Sequence, residues 1–226
     1  MYSMRMTHKT GTYTGVDYGK VDWPDSMPDK PKNFNMKLIE RTDFVEAKLP
    51  RKKFNVGVCF EVVEHVEPFH AYQILKRLRQ SLRSTGTAFI STPVYDPRVG
   101  AAGNHVNEMS FEAMYAMLIL AGFAVVGKWG TFASQRDYKD ELSSFTGVRG
   151  VFDALSAYYD SNTLACIFAP LFPQQSRNVL WRVKAIGDCG DVFHGEAIRN
   201  LRRKVHSSST KWTKEFSKII RDVSCS

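Results

Sequence analysis

Glu61, Glu64 and His65 sit in the stretch CFEVVEHV, directly after the apolar run FNVGVCF. Two carboxylates and an imidazole at positions i, i+3 and i+4 share one face of a helical turn. Placed side by side, two carboxylates repel unless they share a proton or a cation. Magnesium takes oxygen donors in an octahedron and keeps waters that a substrate can displace. An added imidazole moves the preference toward manganese, iron or zinc. The competing reading is structural: Glu61 as a first-turn acid facing the helix dipole, Glu64 as a solvated residue and His65 as a hydrogen-bonded packing residue.

The elements that would position these groups follow from hydrophobic periodicity. Short apolar runs at 13–17 (YTGVD), 36–44 (MKLIERTDF), 54–61, 87–92 (TAFIST), 124–132 (AVVGKWGTF) and 178–186 (NVLWRVKAI) read as strands. From Pro68 onward Ile74, Leu75, Leu78 and Leu82 mark one helical face, with the Ser84-Thr85-Gly86 turn ending that helix. A second helix starts after Ser110 as cap, carries Glu112 in its first turn and stops at Gly122. Residues 148–169 read as one helix with Phe152, Leu155 and Tyr159 on one side, and the Pro- and Asp-rich residues 20–35 as a loop.

Strands alternating with helices imply a doubly wound, mostly parallel α/β sheet of Rossmann-like type. Ligands in such sheets sit at the carboxyl ends of the strands. Asp17, Asp43, Glu61 and Pro93 all fall there.

The chain has 226 residues, 43% apolar and 24% charged, as expected of a globular protein rather than a disordered one. No apolar run approaches the roughly 18 residues of a membrane span, and MYSMRMTHKT has no secretory h-region. Cys59, Cys166, Cys189 and Cys225 are widely spaced, which fits reduced thiols in a cytoplasmic protein. The expected division is a domain over 1–190 and a basic, partly helical tail over 191–226. Arg199, Arg202, Arg203, Lys204, Lys211, Lys214, Lys218 and Arg221 stand there against Glu215 and Asp222, so most of the net charge of +8 lies in the tail. Such a tail either binds nucleic-acid phosphates through residues 199–221 or is simply solvated.

The order FNVGVCFEVVEHV, amphipathic helix, TAFISTP and a helix ending in AGF resembles class I S-adenosylmethionine-dependent methyltransferases. The likeness covers about residues 10–135 and the strand near 178–186. It implies that Asp17, with Tyr18, holds the cofactor ribose, that Asp43 and Phe44 hold the adenine, and that Cys59 and Phe60 lie on the cofactor side of the cleft. EVVEH is similar to the ExxEH motif of metal-dependent small-RNA 2′-O-methyltransferases and ubiquinone-pathway O-methyltransferases. In the RNA group a further histidine precedes a Glu and a helix start; NHVNEMS places His105 there. The resemblance therefore implies a catalytic and metal set of Glu61, Glu64, His65 and His105, with magnesium or manganese assisting O-methylation of a nucleic-acid ribose or a small diol-like acceptor.

One departure bears on the cofactor. That family's first strand and GxGxG loop normally precede the ribose-binding acid, and MYSMRMTHKTGT contains neither. A start further upstream, a substitute segment and a loss of cofactor binding each account for it. The strand would lie between those at 13–17 and 54–60, so its loss would leave two unpaired edges. The alternative function is a catalytically inactive methyltransferase-like domain that binds nucleic acid or a protein partner. Gly100 and Gly103 suit a loop over the acceptor pocket, with Tyr95, Trp129, Phe132 and Tyr138 as lining and Arg136 and Arg149 as phosphate contacts; connector, core and solvated roles compete with each.

Overall fold

The computed structural model describes residues 10–21, 33–97, 100–133, 146–174, 176–186, 217–219 and 221. Arg136, Tyr138, most of the 20–35 stretch and most of the basic tail lie outside them. The chain divides into two compact units, Met1–Leu49 and Pro50–Ser226. No helix among the described residues is long and apolar enough to cross a membrane.

In the first unit, β1 (Thr10–Val16) and β2 (Asn33–Ile39) pair in parallel, ending at Val16 opposite Ile39. The strand ends are tied beyond the ladder: Asp17 N–H donates to Ile39 O at 3.0 Å and Thr42 N–H to Asp17 O at 3.2 Å. Both expected acids close short turns with their own side chains. Asp17 Oδ1 accepts from Gly19 N–H at 2.7 Å, and Asp43 Oδ1 from Val45 N–H at 2.8 Å, the habit that makes Asp a turn residue.

The second unit is built on β3 (Phe54–Phe60), α1 (Pro68–Ser81), β4 (Leu82–Pro93), α2 (Phe111–Leu120), β5 (Phe123–Ala133), α3 (Thr146–Leu155), α4 (Ser161–Phe168) and β6 (Ser176–Ala185). Its sheet has the order β3-β4-β6-β5. β3 and β4 are parallel, and β6 runs antiparallel to both β4 and β5. The α/β class is as expected, with β3, β4 and β5 pointing one way; the last strand is the exception. The chain leaves β5 at Ala133 and re-enters opposite it at Ser176, so β6 must run back along its neighbour.

Cys59, Ile90 and Trp181 lie in register across three strands, and all are buried. α1 packs on this face with Ala71, Tyr72, Ile74, Leu75 and Leu78 buried. A Cβ at Gly57 would come within 2.8 Å of Leu78 Cδ1, so glycine is what lets helix and strand approach. Pro68 opens α1, where its missing N–H costs nothing. The helix ends at Ser81, earlier than expected. Pairing then jumps from Leu82 opposite Phe54 to Thr87 opposite Val56, so the turn expected at Ser84-Thr85-Gly86 is a bulge within β4.

α2 starts where the sequence places it: Ser110 Oγ accepts from Ala113 N–H, and Gly122 follows the helix at φ 89°. Phe111 packs against Trp181, the rings tilted by 37° with centroids 4.8 Å apart. Residues 148–169 form two helices, not one. Asp160 breaks the run by capping α4, its Oδ1 accepting from Asn162 and Thr163 N–H; Tyr159 is left exposed in the break. Phe152 and Leu155 pack on Leu164, Ala165 and Phe168 as a small satellite core.

The opposite sheet face is open at β3, where Val56, Val58 and Phe60 are all exposed. Among the described residues β3 is an edge strand, and β1 and β2 form a sheet of their own.

Candidate functional site

Glu61 is the first residue past β3, and its backbone turns left-handed at φ 52°. A single 3₁₀ turn, Val63–His65, follows. The left-handed step separates the two carboxylates of the ExxEH stretch. Glu61 Oε1 accepts from Ser91 Oγ at 2.6 Å and Oε2 from Asn178 Nδ2 at 2.9 Å, which orients it over the ends of β4 and β6.

Glu64 turns inward and is fully shut off from solvent. Its Oε2 accepts from Thr92 Oγ1 at 3.3 Å, while Oε1 has no hydrogen-bond partner. Burial pushes its carboxyl above the ordinary range, and Glu61 adds to the shift; His65 and His105 partly oppose it. A carboxylate this deep is stable only when paired or protonated.

His65 Nε2 lies 3.9 Å from Glu64 Oε1. The loop from Asp96 to Asn107 brings His105 against it, ring centroids 4.7 Å apart and nearly perpendicular. Glu64 O accepts from both Val106 and Asn107 N–H at 3.0 Å, and Asn107 Nδ2 donates to Val63 O. These bonds fasten the loop to the 3₁₀ turn. Glu64, His65 and His105 each offer one ligand atom, all within 4.8 Å of one another.

The partners of the two Nδ1 atoms set the ring chemistry. His65 Nδ1 is 3.1 Å from Asn104 O. That oxygen can only accept, so Nδ1 carries the proton and, in the neutral ring, Nε2 the lone pair. His105 Nδ1 is 2.6 Å from Glu108 Oε1, with the same consequence. With both rings neutral and Glu64 ionised, two imidazole lone pairs and a buried carboxylate oxygen make a set that only accepts. That fits a divalent cation. Donors on one ion with bonds of about 2.1 Å stand no more than about 4.2 Å apart, so a modest rotation of the exposed His65 would close the set. Nitrogen-rich donors suit manganese, iron or zinc better than magnesium.

Of the four residues expected to ligate, the structure brings together Glu64, His65 and His105 and gives Glu61 other partners. Thr92, Glu108, Arg177 and Asn178 were not singled out by sequence reasoning. Glu108 carried a signal, three residues after His105; Arg177 and Asn178 reach the site only through β6. Cys59 is buried, and burial foremost, then Glu64, pushes its thiol up to about 12, so it stays protonated. Tyr18 and Phe60 are exposed. Gly100 is left-handed at φ 77°, as a tight loop demands. Tyr95 and Trp129 are partly exposed, and Arg149 pairs with Asp153 at 3.6 Å.

Fold and site define an α/β protein with a two-imidazole, one-carboxylate cluster at the carboxyl ends of its strands. No protein-family model matches the chain, and no curated protein matches it. Similar solved structures include a Haloferax volcanii complex of the Trm112 methyltransferase activator with a putative methyltransferase, at 11% identity over 83% of this chain and 87% of that one, TM-score 0.46. Another is 1,6-didemethyltoxoflavin-N1-methyltransferase from Burkholderia thailandensis, at 12% identity over 77% and 71%, TM-score 0.46. A third is the [4+2]-cyclase SpnF, at 10% identity and TM-score 0.42, where 69% of this chain spans 57% of the cyclase.

Proposed function

We propose that the chain is an S-adenosylmethionine-dependent methyltransferase that methylates an oxygen of a diol-like acceptor, a nucleic-acid ribose or a small molecule, with a divalent ion on Glu64, His65 and His105. The observation carrying this reading is the convergence of two imidazole nitrogens on a buried carboxylate oxygen without a donor. S-adenosylmethionine would supply the methyl group, and the ion the charge that acidifies the acceptor hydroxyl.

Within the first unit, Asp17 and Tyr18 would hold the ribose of the cofactor, and Asp43 and Phe44 its adenine. The two acids suit this role because they follow the ends of neighbouring parallel strands, Asp17 directly after β1 and Asp43 four residues after β2. Glu61, oriented by Ser91 and Asn178, accepts the acceptor's hydroxyl proton. The cofactor would supply the methyl group to that hydroxyl oxygen and leave as S-adenosylhomocysteine. The basic residues between 199 and 221 favour a nucleic-acid acceptor.

Calorimetric titration with S-adenosylmethionine, followed by transfer of a labelled methyl group to a short RNA or a catechol, tests the reading. Binding together with EDTA-sensitive transfer supports it. No binding would exclude methyl transfer and leave a non-catalytic binding domain.

A further inference from the structure

We propose that Glu108 and Arg177 are a positioning pair that fixes the tautomer of His105, so that its Nε2 lone pair is presented to the Glu64 cluster. The inference deepens the metal reading above and rests on it.

Glu108 is not a ligand candidate: it reaches His105 from the far side of the ring. Its side chain is inaccessible to solvent, so both oxygens must be satisfied from within the protein. Oε1 takes two donors, Ala102 N–H at 3.0 Å and His105 Nδ1 at 2.6 Å. Oε2 lies 2.7 Å from the Arg177 guanidinium. Arg177 also donates to Val94 O and, at 3.4 Å, to Gly100 O. Its own carbonyl accepts from Val94 N–H at 2.9 Å. One guanidinium thus joins the start of β6, the exit of β4 and the loop that carries His105.

A plain structural ion pair would hold that loop without regard to the imidazole. This one does more, because a carboxylate oxygen can only accept, and its contact with Nδ1 requires the proton there. The neutral ring then has its lone pair on Nε2. The same loop makes the matching choice for His65 through Asn104 O, the carbonyl preceding His105. A carboxylate behind a ligating histidine also raises its basicity, and losing such a partner typically weakens metal affinity about 10–100-fold.

The test uses the 226-residue chain labelled with 15N, kept metal-free at about pH 8, above the usual imidazole pKa. Long-range proton–nitrogen spectra read the tautomer of each histidine directly. His105 should appear as the Nδ1–H form in the native chain and shift toward the Nε2–H form in Glu108→Ala. Glu108→Gln, whose amide oxygen can accept both N–H groups while its NH2 loses the Arg177 pairing, should restore the Nδ1–H form in part. Zinc affinity by calorimetry should fall about 10–100-fold in Glu108→Ala and recover in part in Glu108→Gln. An Nε2–H form in the native chain overturns the proposal whether or not the variants fold. So does a tautomer unchanged in a Glu108→Ala chain with native circular dichroism. A Glu108-dependent Nδ1–H tautomer in a chain that binds no zinc keeps the positioning role and sinks the metal reading.

Discussion

Glu64 Oε1 stands 3.9 Å from His65 Nε2, buried and without a hydrogen-bond donor. An unsatisfied buried acceptor costs on the order of 1–3 kcal/mol, and more when charged. Thr92 satisfies only the other oxygen. The metal-free fold therefore carries a local cost that either a proton on Glu64 or a cation relieves, and imidazole lone pairs on Nε2 can serve either one.

Metal should accordingly stabilise the fold. Zinc or manganese at about a hundredfold above its Kd adds ~2.7 kcal/mol, which for a chain of this size raises Tm by roughly 5–10 °C. Glu64→Gln removes the buried charge and one ligand together. Its Tm in EDTA should equal or exceed that of the native chain, and the metal-induced rise should vanish. Differential scanning calorimetry with and without metal checks both; a full metal-induced rise in Glu64→Gln would remove Glu64 from the site.

The two buried carboxyls predict opposite pH dependences. Burial first, then Glu61, raises the Glu64 pKa in the fold. Its contribution is therefore fully present below the unfolded carboxyl pKa and is lost as pH rises through the raised value. Burial also pushes Glu108 upward, but Ala102 N–H, His105 and Arg177 outweigh it, and the net shift is downward. Its contribution is present above the unfolded carboxyl pKa and is lost as pH falls through the lowered one. In Tm–pH profiles recorded in EDTA, Glu64→Gln should flatten the decline on the rising-pH side, and Glu108→Gln the acid limb. Because the ligand carboxylate must be ionised, the metal-induced Tm rise in the native chain should grow across the Glu64 titration.

Glu61 and Glu64 should separate in function. Glu61→Ala should change zinc affinity by less than about threefold, ~0.65 kcal/mol, and still lower methyl transfer. Glu64→Ala should lose more than about a hundredfold in zinc affinity and keep its affinity for S-adenosylmethionine. Equal losses of zinc affinity in the two variants would return Glu61 to the ligand set. Paired zinc and cofactor titrations decide it.

That separation marks where the sequence stopped being readable. Spacing at i, i+3 and i+4 assumes α-helical geometry from Glu61 onward, whereas residue 61 is left-handed and Val63–His65 form a 3₁₀ turn. No periodicity encodes a single left-handed residue. Glu64, His65 and His105 were legible because a motif carries them. Arg177 was not, since its proximity to Glu108 depends on β6 entering the sheet beside β4. The reversed direction of β6 escaped for a related reason: an apolar run reports burial but not strand polarity. The strands and both caps of α2 were legible because alternation, Ser110 and Gly122 act locally. The division of 148–169 was in principle visible too, because Asp160 precedes Asn162 and Thr163 in a capping arrangement.

The placement of β6 is itself open to test through two glycines of β5. A Cβ on Gly130 would fall 1.8 Å from Ser176 Oγ and 2.1 Å from Ala169 O. One of those atoms is backbone, fixed in the turn after α4, and Ser176 is buried where β6 begins. Neither can yield without moving the strand. A Cβ on Gly127 would meet only the Trp129 ring, at 2.5 Å, and that side chain is partly exposed and can swing outward. Gly130→Ala should therefore cost at least ~3 kcal/mol, the upper range for overpacking. Gly127→Ala should cost less than about 1.5 kcal/mol, most of it from displacing the indole. Urea unfolding of both variants measures the difference, and equal costs would mean that β6 does not enter the sheet against Gly130.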